Sequence, residues 1–263
     1  MSSPHQPSLD RITIFPIKGF AGHHLEQVEV LPGGALAGDR RFALQDLSGQ
    51  FISGKKHAGL HRIHSSFGSD LHSVVLSCDG NKESFALEPG NQLLAEWCSQ
   101  MLGQQCQLIE NTEAGFPDDC ESPGPTLIST ASLLEVANWF GRLDLEEART
   151  RFRMNLEVGS ELPFWEDRLV GDESKESRFR IGETVWQGRG ICQRCVVPTR
   201  NSSAGTVDAG FAREFSLRRE ETLPEWSPRQ RFDHFYRLGI NTALESLEQG
   251  KILSIGDEVE AID

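Results

Sequence analysis

The first hundred residues alternate between short β-prone segments and clusters of turn-forming residues, and this alternation restricts the fold more than any other feature. β-branched or aromatic residues gather at 11–15, 27–31, 42–45 and 74–77, with Gly, Pro, Asp or Ser clusters between them. Short strands that recur between glycine-containing turns are typical of antiparallel sheets and barrels. We therefore expect the N-terminal part to be built mainly from antiparallel strands.

Local patterns also predict three helices. The first spans 91–102, and the second begins at Ser129 or Thr130, either of which can cap it. The third begins at Asp144, with Glu147 three residues later as in a capping box. The side chains expected to be buried are Leu93, Leu94, Trp97 and Met101 in the first helix and Leu133, Leu134, Ala137 and Phe140 in the second.

The segment 110–125 is acidic and contains the runs GFP and SPGP, so it is predicted to be a long loop between domains. Further strands are expected at 156–158, 178–181, 184–186 and 258–262, and further helices at 209–220 and near 244–248. We therefore predict two domains, 8–120 and 121–263, in a fold that is mainly β with helices (α+β).

The net charge of −13 argues against nucleic acid as a partner, because binding phosphates requires a basic face. No apolar run approaches the roughly 20 residues that a membrane helix needs. The first ten residues also lack the pattern of a signal peptide. The sequence therefore predicts a cytoplasmic protein that binds neither a membrane nor nucleic acid.

Six cysteines are too few and too scattered for a disulfide-stabilised fold, and only Cys192 and Cys195 are spaced as a CxxC pair. A structural zinc site would need two more ligands at suitable spacing, and a redox-active dithiol would begin a helix. Val197 precedes Pro198 and favours a strand or loop instead, so both chemistries are disfavoured. Two interpretations stay open: a single thiolate ligand for a metal that something else also holds, or two cysteines that only pack.

Several motifs extend from about residue 10 to the C-terminus. They are FPIKG at 15–19, LAGDRRF at 36–42, FRMNL at 152–156, PFWED at 163–167, CQRCVVPT at 192–199 and GKILSIGDEV at 250–259. Together and in this order they resemble the MOSC family, which is named for the C-terminal domain of molybdenum cofactor sulfurase. The resemblance implies an N-terminal MOSC-type β-barrel domain packed on a MOSC β-barrel domain.

Within this family the chain resembles the mitochondrial amidoxime-reducing component and the bacterial reductases of N-hydroxylated bases. That resemblance implies an oxidoreductase that binds the molybdenum cofactor (Mo-molybdopterin), with Cys195 as metal ligand and catalytic residue. It would reduce small N-hydroxylated substrates, such as hydroxylamines and amidoximes, with electrons from a separate donor protein. The alternative is a carrier of sulfur or of the cofactor, in which Cys195 holds a persulfide that Cys192 resolves.

The family's cofactor-binding residues can be carried over one by one. Lys18 and Arg40 match positions that hold a phosphate, which an ammonium and a guanidinium suit. Arg153 and Asn155 alternate on a predicted strand and would share a face. Ser129 opens a helix, and helix N-termini bind anions. The expected cofactor-binding residues are Lys18, Gly19, Arg40, Ser129, Arg153, Asn155, Gln193 and Arg194.

Three positions depart from the family pattern. Met154 replaces the usual proline, Leu169 stands where tryptophan is common, and Asn201 replaces an aspartate. We expect Asn201 to alter rate or specificity if that aspartate acts on the metal or the substrate. No side chain stands out as a proton donor, and Asp167 is one candidate beside water.

Overall fold

The computed structural model describes residues 6–172, 177–245 and 250–262. Within these ranges the strands are β1 (Ser8–Ile14), β2 (His23–Leu25), β3 (Gln27–Val30), β4 (Phe42–Asp46), β5 (His64–Phe67), β6 (Ser73–Cys78), β7 (Asn81–Ala86), β8 (Cys106–Glu110), β9 (Leu127–Ser129), β10 (Leu156–Gly159), β11 (Ser177–Ile181), β12 (Thr184–Gln193), β13 (Arg237–Leu244), β14 (Lys251–Ser254) and β15 (Val259–Ile262). The α-helices are α1 (Gln92–Leu102), α2 (Thr130–Phe140), α3 (Leu145–Phe152) and α4 (Phe211–Glu221). The structure confirms a mainly β fold with helices.

Eight strands form the largest sheet, in the order β15-β11-β12-β13-β9-β10-β1-β2. Its neighbours are antiparallel except for β9 and β10, which run parallel. At the far end, β1 also meets the segment before β15, because Leu9 N donates to Asp257 O at 2.9 Å and Gly256 N donates to Leu9 O at 2.8 Å. The sheet therefore curls back on itself, as expected for a barrel-like domain.

Three apolar cores hold the fold together. The first lies inside the curled sheet and includes Trp186, which has no exposed surface. The second packs α1 against the small sheets β4-β8 and β5-β6-β7. The third joins α2, α3 and α4 and includes Cys192 and Met154. This third core therefore supports the ends of α3 and β12.

Strands from both predicted domains share sheets. β1 pairs with β10, and β3 pairs with β14, so both pairings cross the expected boundary between 120 and 121. The division into 8–120 and 121–263 stays a prediction.

Two strands of the large sheet differ most from the prediction: β13 (Arg237–Leu244) was not predicted, and β12 is longer than expected. A strand was expected only at 184–186, whereas Thr184–Gln193 is extended. β11 pairs with its first half and β13 with most of its length, so tertiary hydrogen bonds extend it. The strand thereby carries the chain through Cys192, and the CxxC pair lies at a strand end and in a loop, as predicted.

The first three helices begin where predicted, capped by the side chains of Asn91, Ser129 and Asp144. The predicted burial of two leucines is wrong, since Leu93 is 70% exposed and Leu134 is 44% exposed. Each is next to a buried leucine on the same helix, Leu94 or Leu133. Each helix therefore has more apolar residues along one side than the rest of the protein covers.

The expected strand through Arg153 and Asn155 is also wrong. Arg153 ends α3 in the left-handed conformation, with φ of 53°, and its N–H donates to Arg149 O. This is a common way for a helix to end. β10 begins only at Leu156, so Arg153 and Asn155 do not share a strand face.

The helix expected near 244–248 falls largely outside the described residues, and Leu244 itself ends β13. In the parts of the chain that the structure describes, no helix is long and apolar enough to cross a bilayer.

Candidate functional site

A cavity of about 880 Å³ opens where several loops meet. Most of its lining residues lie within the segments 18–21, 53–65, 117–124, 150–153 and 189–203, although not every residue of these segments lines it; the others are Arg40, Thr126, Arg237 and Asn241. Its volume is typical of pockets that bind small molecules. Seven of the predicted site residues line it: Lys18, Gly19, Arg40, Arg153, Gln193, Arg194 and Cys195.

Cys195 lies in the loop after β12, partly exposed in the wall of the cavity. The N–H of Val197 donates to its Sγ at 3.5 Å, from the start of the single 3-10 turn Val197–Thr199. The positive charge of Arg153 is close enough to interact with it. A donor and a nearby cation both stabilise a thiolate, which is the form of cysteine that binds metals.

Cys192 has a different environment, although it also borders the cavity. It is buried, and its thiol donates to Asn241 Oδ1 at 2.9 Å. Burial raises the pKa of Cys192 to about 11. This cysteine therefore remains a thiol near neutral pH. The two members of the CxxC pair are chemically unequal.

Among the described residues, no group of three or more His, Cys, Asp or Glu side chains could hold a metal ion. Neither cysteine of the pair begins an α-helix, because Cys192 lies near the end of β12 and Cys195 lies between β12 and a 3-10 turn. The geometry offers one partly exposed thiol to a ligand, rather than a pair.

Arg153 carries a charge without a partner. In the described part of the chain its guanidinium has no hydrogen-bond acceptor or ion pair, and it lies 4.1 Å from the centre of the Phe15 ring. Burial, together with the positive charge of Arg40, lowers the pKa of Arg153 to about 10. Arg153 is only partly exposed, and the charges of Asp39 and Asp118 only partly offset the repulsion by Arg40, so a bound anion would stabilise it. This corner of the cavity is therefore suited to an anionic ligand.

Lys18 and Arg40 also line the cavity, but each has a carboxylate partner. Lys18 Nζ donates to Asp118 at 2.7 Å, and Arg40 pairs with Asp39. Burial lowers the pKa of Lys18. Burial opposes ionisation of Asp118 too, but the charge and hydrogen bond of Lys18 lower the pKa of Asp118 to about 2. Both side chains are therefore held in position by a carboxylate before any ligand binds.

Gly19 allows the chain to turn beside Lys18. Its φ is 89°, and a Cβ atom there would lie 2.7 Å from Leu60 Cδ2. A larger residue would be strained and crowded at this position.

Arg194 reaches from the CxxC pair towards the end of α3. It donates to Phe152 O and, at 3.5 Å, to Met154 Sδ. Its Nε and that of Arg200, which also lines the cavity, are buried without a hydrogen-bond partner in the described residues. Gln193 ends β12 beside it. Two guanidinium N–H groups thus remain available to a ligand.

Two of the predicted cofactor-binding residues do not line the cavity. Ser129 is fully buried, where its Oγ accepts from Ser132 N and caps α2. Asn155 is 1% exposed, accepts from Thr126 N and donates to Thr13 O at 3.1 Å. Both hold neighbouring backbone segments together, and a direct role for either in ligand binding stays a prediction.

Asp167 is not placed to donate a proton in the cavity. It is fully buried and is held by Arg219 and Ser227. Asn201 does not line the cavity either, because its Oδ1 accepts from Ser203 N and Ala204 N and closes a turn. Asn201 therefore cannot affect rate or specificity through direct contact with a ligand in the cavity.

The two other departures from the family pattern are packing residues. Met154 is buried in the third core and contacts Arg194, and a Cβ atom on Gly239 would lie 2.2 Å from its methyl carbon. Leu169 is fully buried in the first core.

Sequence analysis missed several polar residues of the wall, namely His61, Asp118, Asp119, Arg200 and Asn241. They lie on loops or a strand far apart in sequence, and nothing in their local pattern predicts that they meet. The only available signal was the acidic character of 110–125, which indicated a loop.

Comparison with known proteins gives two matches that together cover nearly the whole chain. Residues 6–143 match the MOSC N-terminal beta barrel domain, and residues 126–260 match the MOSC domain.

Curated relatives are molybdenum cofactor sulfurases. The chain is 23% identical over 249 residues to that of Solanum lycopersicum, covering 76% of this chain and 30% of the relative. It is 24% identical over 249 residues to that of Arabidopsis thaliana, covering 76% and 29%. For that of Danio rerio the identity is 24% over 237 residues, covering 72% and 27%. The chain thus spans under a third of the length of these relatives.

Proposed function

The chain belongs to the MOSC family, and we propose that it binds the molybdenum cofactor in the cavity with Cys195 as the protein ligand of the metal. We further propose that it is an oxidoreductase for small N-hydroxylated compounds. The observation that carries the proposal is the inequality of the two cysteines. Cys195 borders the cavity with an N–H donor on its sulfur, whereas Cys192 is a buried thiol bonded to Asn241.

The residues of the cavity fit an anionic cofactor with a phosphate group. Arg153 is a cation without a partner, and Arg194 and Arg200 each have an unpaired buried Nε in the described residues. Guanidinium groups bind phosphate well because they can donate two parallel hydrogen bonds. The cavity volume of about 880 Å³ leaves room for a small substrate beside such a group.

When bound, the cofactor would supply two-electron redox chemistry. The overall reaction would take an N-hydroxylated compound, two electrons and two protons to the amine, amidine or guanidine and water. The chain's own residues would bind and orient the reactants, while Lys18 and Arg40, already fixed by Asp118 and Asp39, would hold negative charge. Bulk water can supply protons through the open cavity.

The two electrons would come from a separate donor protein. We propose a small redox protein or a reductase that docks near the cavity mouth, where the acidic loop 117–124 forms part of the rim. If the donor protein carries a basic surface, its attraction to this acidic loop would speed association.

A carrier of sulfur or of the cofactor is the second candidate, and the similarity to molybdenum cofactor sulfurases favours it. In this role Cys195 would carry a persulfide for Cys192 to resolve. The environment of Cys192 is unfavourable for that step, because attack needs a thiolate and burial raises the pKa of Cys192 to about 11. We therefore place the carrier second.

The first test is the molybdenum content of the purified protein from a host that makes the cofactor in excess. We expect near-stoichiometric metal in the wild type and in Cys192→Ser, and loss of at least about 90% in Cys195→Ser, because the metal loses its protein ligand. Elemental mass spectrometry measures the content. Thermal melting of all three proteins checks that they fold.

The reductase activity is tested on the loaded protein with reduced viologen as donor and benzamidoxime as substrate. Stoichiometric formation of benzamidine would support the oxidoreductase. Metal-loaded protein that forms no benzamidine, but carries a persulfide on Cys195, would support the carrier instead. Absence of molybdenum from the wild type would overturn the cofactor proposal.

A further inference from the structure

Asp119 differs from the other carboxylates at the cavity. It lies in the acidic loop 117–124, and its Oδ1 accepts from Glu121 N at 2.9 Å and Ser122 N at 3.3 Å. Its Oδ2 accepts from Asn241 Nδ2 at 3.4 Å. These bonds fix a carboxylate in the wall of the cavity.

The charge of Asp119 has no cationic partner among the described residues. Asp118 next to it is paired with Lys18 and Lys55, and Asp39 is paired with Arg40. Asp119 is held only by neutral donors. A carboxylate that is fixed but not neutralised can pair with a cation that enters the cavity.

Asn241 connects Asp119 to the CxxC pair. Its Oδ1 accepts the thiol hydrogen of Cys192 at 2.9 Å, so its NH2 group is the end that faces Asp119. Cys192, Asn241 and Asp119 therefore form one hydrogen-bonded chain along the wall that holds Cys195. The charge of Asp118, the residue before Asp119, and that of Cys195 both interact with Arg153. Asp119 and the proposed metal ligand Cys195 thus line the same cavity.

We propose that Asp119 is the residue that selects cationic substrates, of the N-hydroxyguanidine class, and that Cys192 positions it through Asn241. This inference rests on the proposed reductase function. It assigns Cys192, the first cysteine of the pair, a role that is neither metal ligation nor persulfide chemistry. The thiol anchors the oxygen of the Asn241 amide, whose NH2 group donates to the carboxylate.

The chemistry of the substrate gives the expected size of the effect. An N-hydroxyguanidinium group presents two N–H donors and a positive charge to the carboxylate, whereas N-hydroxyurea of the same shape has a neutral carbonyl there. A hydrogen bond to a charged group is worth enough for a change of about 10- to 100-fold. The overall reaction on either compound is the same two-electron, two-proton loss of water.

The test compares kcat/KM for an N-hydroxyguanidine and the matching N-hydroxyurea in the wild type and in Asp119→Asn, with reduced viologen as donor. Taking each variant relative to wild type cancels the different intrinsic reactivity of the two compounds. We expect Asp119→Asn to lower kcat/KM for the N-hydroxyguanidine by about 30-fold, mainly through KM, and to change the N-hydroxyurea value by less than about threefold. Glu113→Gln is the control, since Glu113 is an exposed acid of the same acidic segment, 110–125, that does not line the cavity. It should change either value less than about threefold.

The positioning role is tested at Cys192. In Cys192→Ser a hydroxyl can still donate to Asn241, whereas Cys192→Ala removes this donor, so the amide loses its anchor on the side opposite Asp119 and holds the carboxylate less firmly. We expect Cys192→Ala to lose about 5- to 10-fold in the preference for the cationic compound and Cys192→Ser to restore it. If Cys192→Ala and Cys192→Ser lose the preference equally, or if activity falls alike on both compounds, the role of Cys192 is purely structural. Either result would overturn the proposal that Cys192 positions Asp119.

A binding measurement separates failure of this inference from failure of the proposed function. Calorimetry of the purified full chain would compare benzamidine with its neutral analogue benzamide. If the protein reduces both N-hydroxylated compounds but Asp119→Asn affects them equally, the function holds and the inference is wrong. If neither compound is reduced, yet benzamidine binds at least about tenfold more tightly than benzamide and loses this in Asp119→Asn, cation recognition holds and the reductase proposal is wrong.

Discussion

Two charged regions of the molecule invite comparison: the wall of the cavity and a buried cluster behind α2. In the buried cluster, Arg219 and Asp167 are both fully enclosed and paired with each other. The guanidinium of Arg219 also lies 3.8 Å from the centre of the Phe164 ring. In the cavity, Arg153 has neither a carboxylate partner nor a hydrogen bond within the described residues. Charges of the first kind are neutralised within the fold, whereas charges of the second kind can pair with a bound ligand.

The sequence does not separate these two kinds of charge. Both FRMNL and PFWED resemble family motifs, and both contain charged residues between apolar ones. Asp167 was a candidate proton donor on that basis, but it is fully buried against Arg219. The role of Asp167 depends on its pairing with Arg219 and Ser227, which lie more than fifty positions further along the chain.

Of the changes that test the difference between the cavity and the buried cluster, we expect the largest effect from breaking the buried pair of Arg219 and Asp167, which should lower stability. We expect Asp167→Ala to lower the free energy of unfolding by about 3–5 kcal/mol, because it leaves Arg219 buried without a counter-charge. Urea denaturation measures this as a lower midpoint with an unchanged slope. Arg62→Ala is the control: it removes an exposed pair with Asp79 and should cost less than about 1 kcal/mol. A similar small loss in Asp167→Ala would contradict the structural role of the buried pair.

A second, somewhat smaller effect concerns pH. Burial, and then the charge of Asp167, raise the pKa of Glu166 to about 7, while its Oε2 accepts from Ser129 N and Ser132 Oγ. Because the folded protein holds this proton more tightly than the unfolded chain, raising the pH from about 4.5 to 7 lowers the unfolding free energy, by about 3 kcal/mol.

The measurement is the unfolding free energy of the wild type and of Glu166→Gln at pH 5 and pH 8. Gln can accept the same two hydrogen bonds and cannot ionise, so this part of the pH dependence should disappear in the variant. Equal pH dependence in both proteins would mean that Glu166 is ionised in the folded state, and the buried cluster would then carry an unpaired charge like the cavity.

Short-range patterns predicted most of the fold. Asp144 caps α3 and Ser129 caps α2, because capping depends on residues within one turn. The extent of β12 could not be predicted, since β11 and β13 supply its hydrogen bonds. The exposure of Leu93 could not be predicted either, because only the packed structure shows which part of an apolar face finds a partner.

The candidate site was predictable where family motifs could be carried over, and not elsewhere. Seven of the nine expected residues line the cavity, including Cys195 and Arg153. Of the two exceptions, Asn155 lies in the same motif as Arg153 and Ser129 lies in none of the motifs; both side chains point into the fold. Asp119 was missed because a carboxylate in an acidic loop has no distinctive local pattern.

The smallest expected effect on stability is the most informative about the cavity. Arg151 and Arg153 are two residues apart at the end of α3, but Arg151 pairs with Glu147 and Asp208, whereas Arg153 has no partner in the described chain. We expect Arg151→Met to cost about 2 kcal/mol, because Glu147 loses its ion pair and keeps only hydrogen bonds from Ser202, while Asp208 keeps only Arg142. Arg153→Met should change the unfolding free energy by no more than about 0.5 kcal/mol, since it removes a cation that Arg40 repels.

Measuring both stability and molybdenum content makes this pair decisive for the comparison. If Arg153 binds the cofactor, the apoprotein of Arg153→Met should be as stable as that of the wild type, while the molybdenum content of the variant falls severalfold. Both side chains are unbranched and must adopt the same left-handed backbone at this position, so the substitution adds no new strain there. If Arg153→Met instead destabilises the apoprotein as much as Arg151→Met does, Arg153 serves the fold. The charged side chains of the cavity wall would then stabilise the fold, as those of the buried cluster do. The unpaired guanidinium of Arg153 would not indicate a ligand.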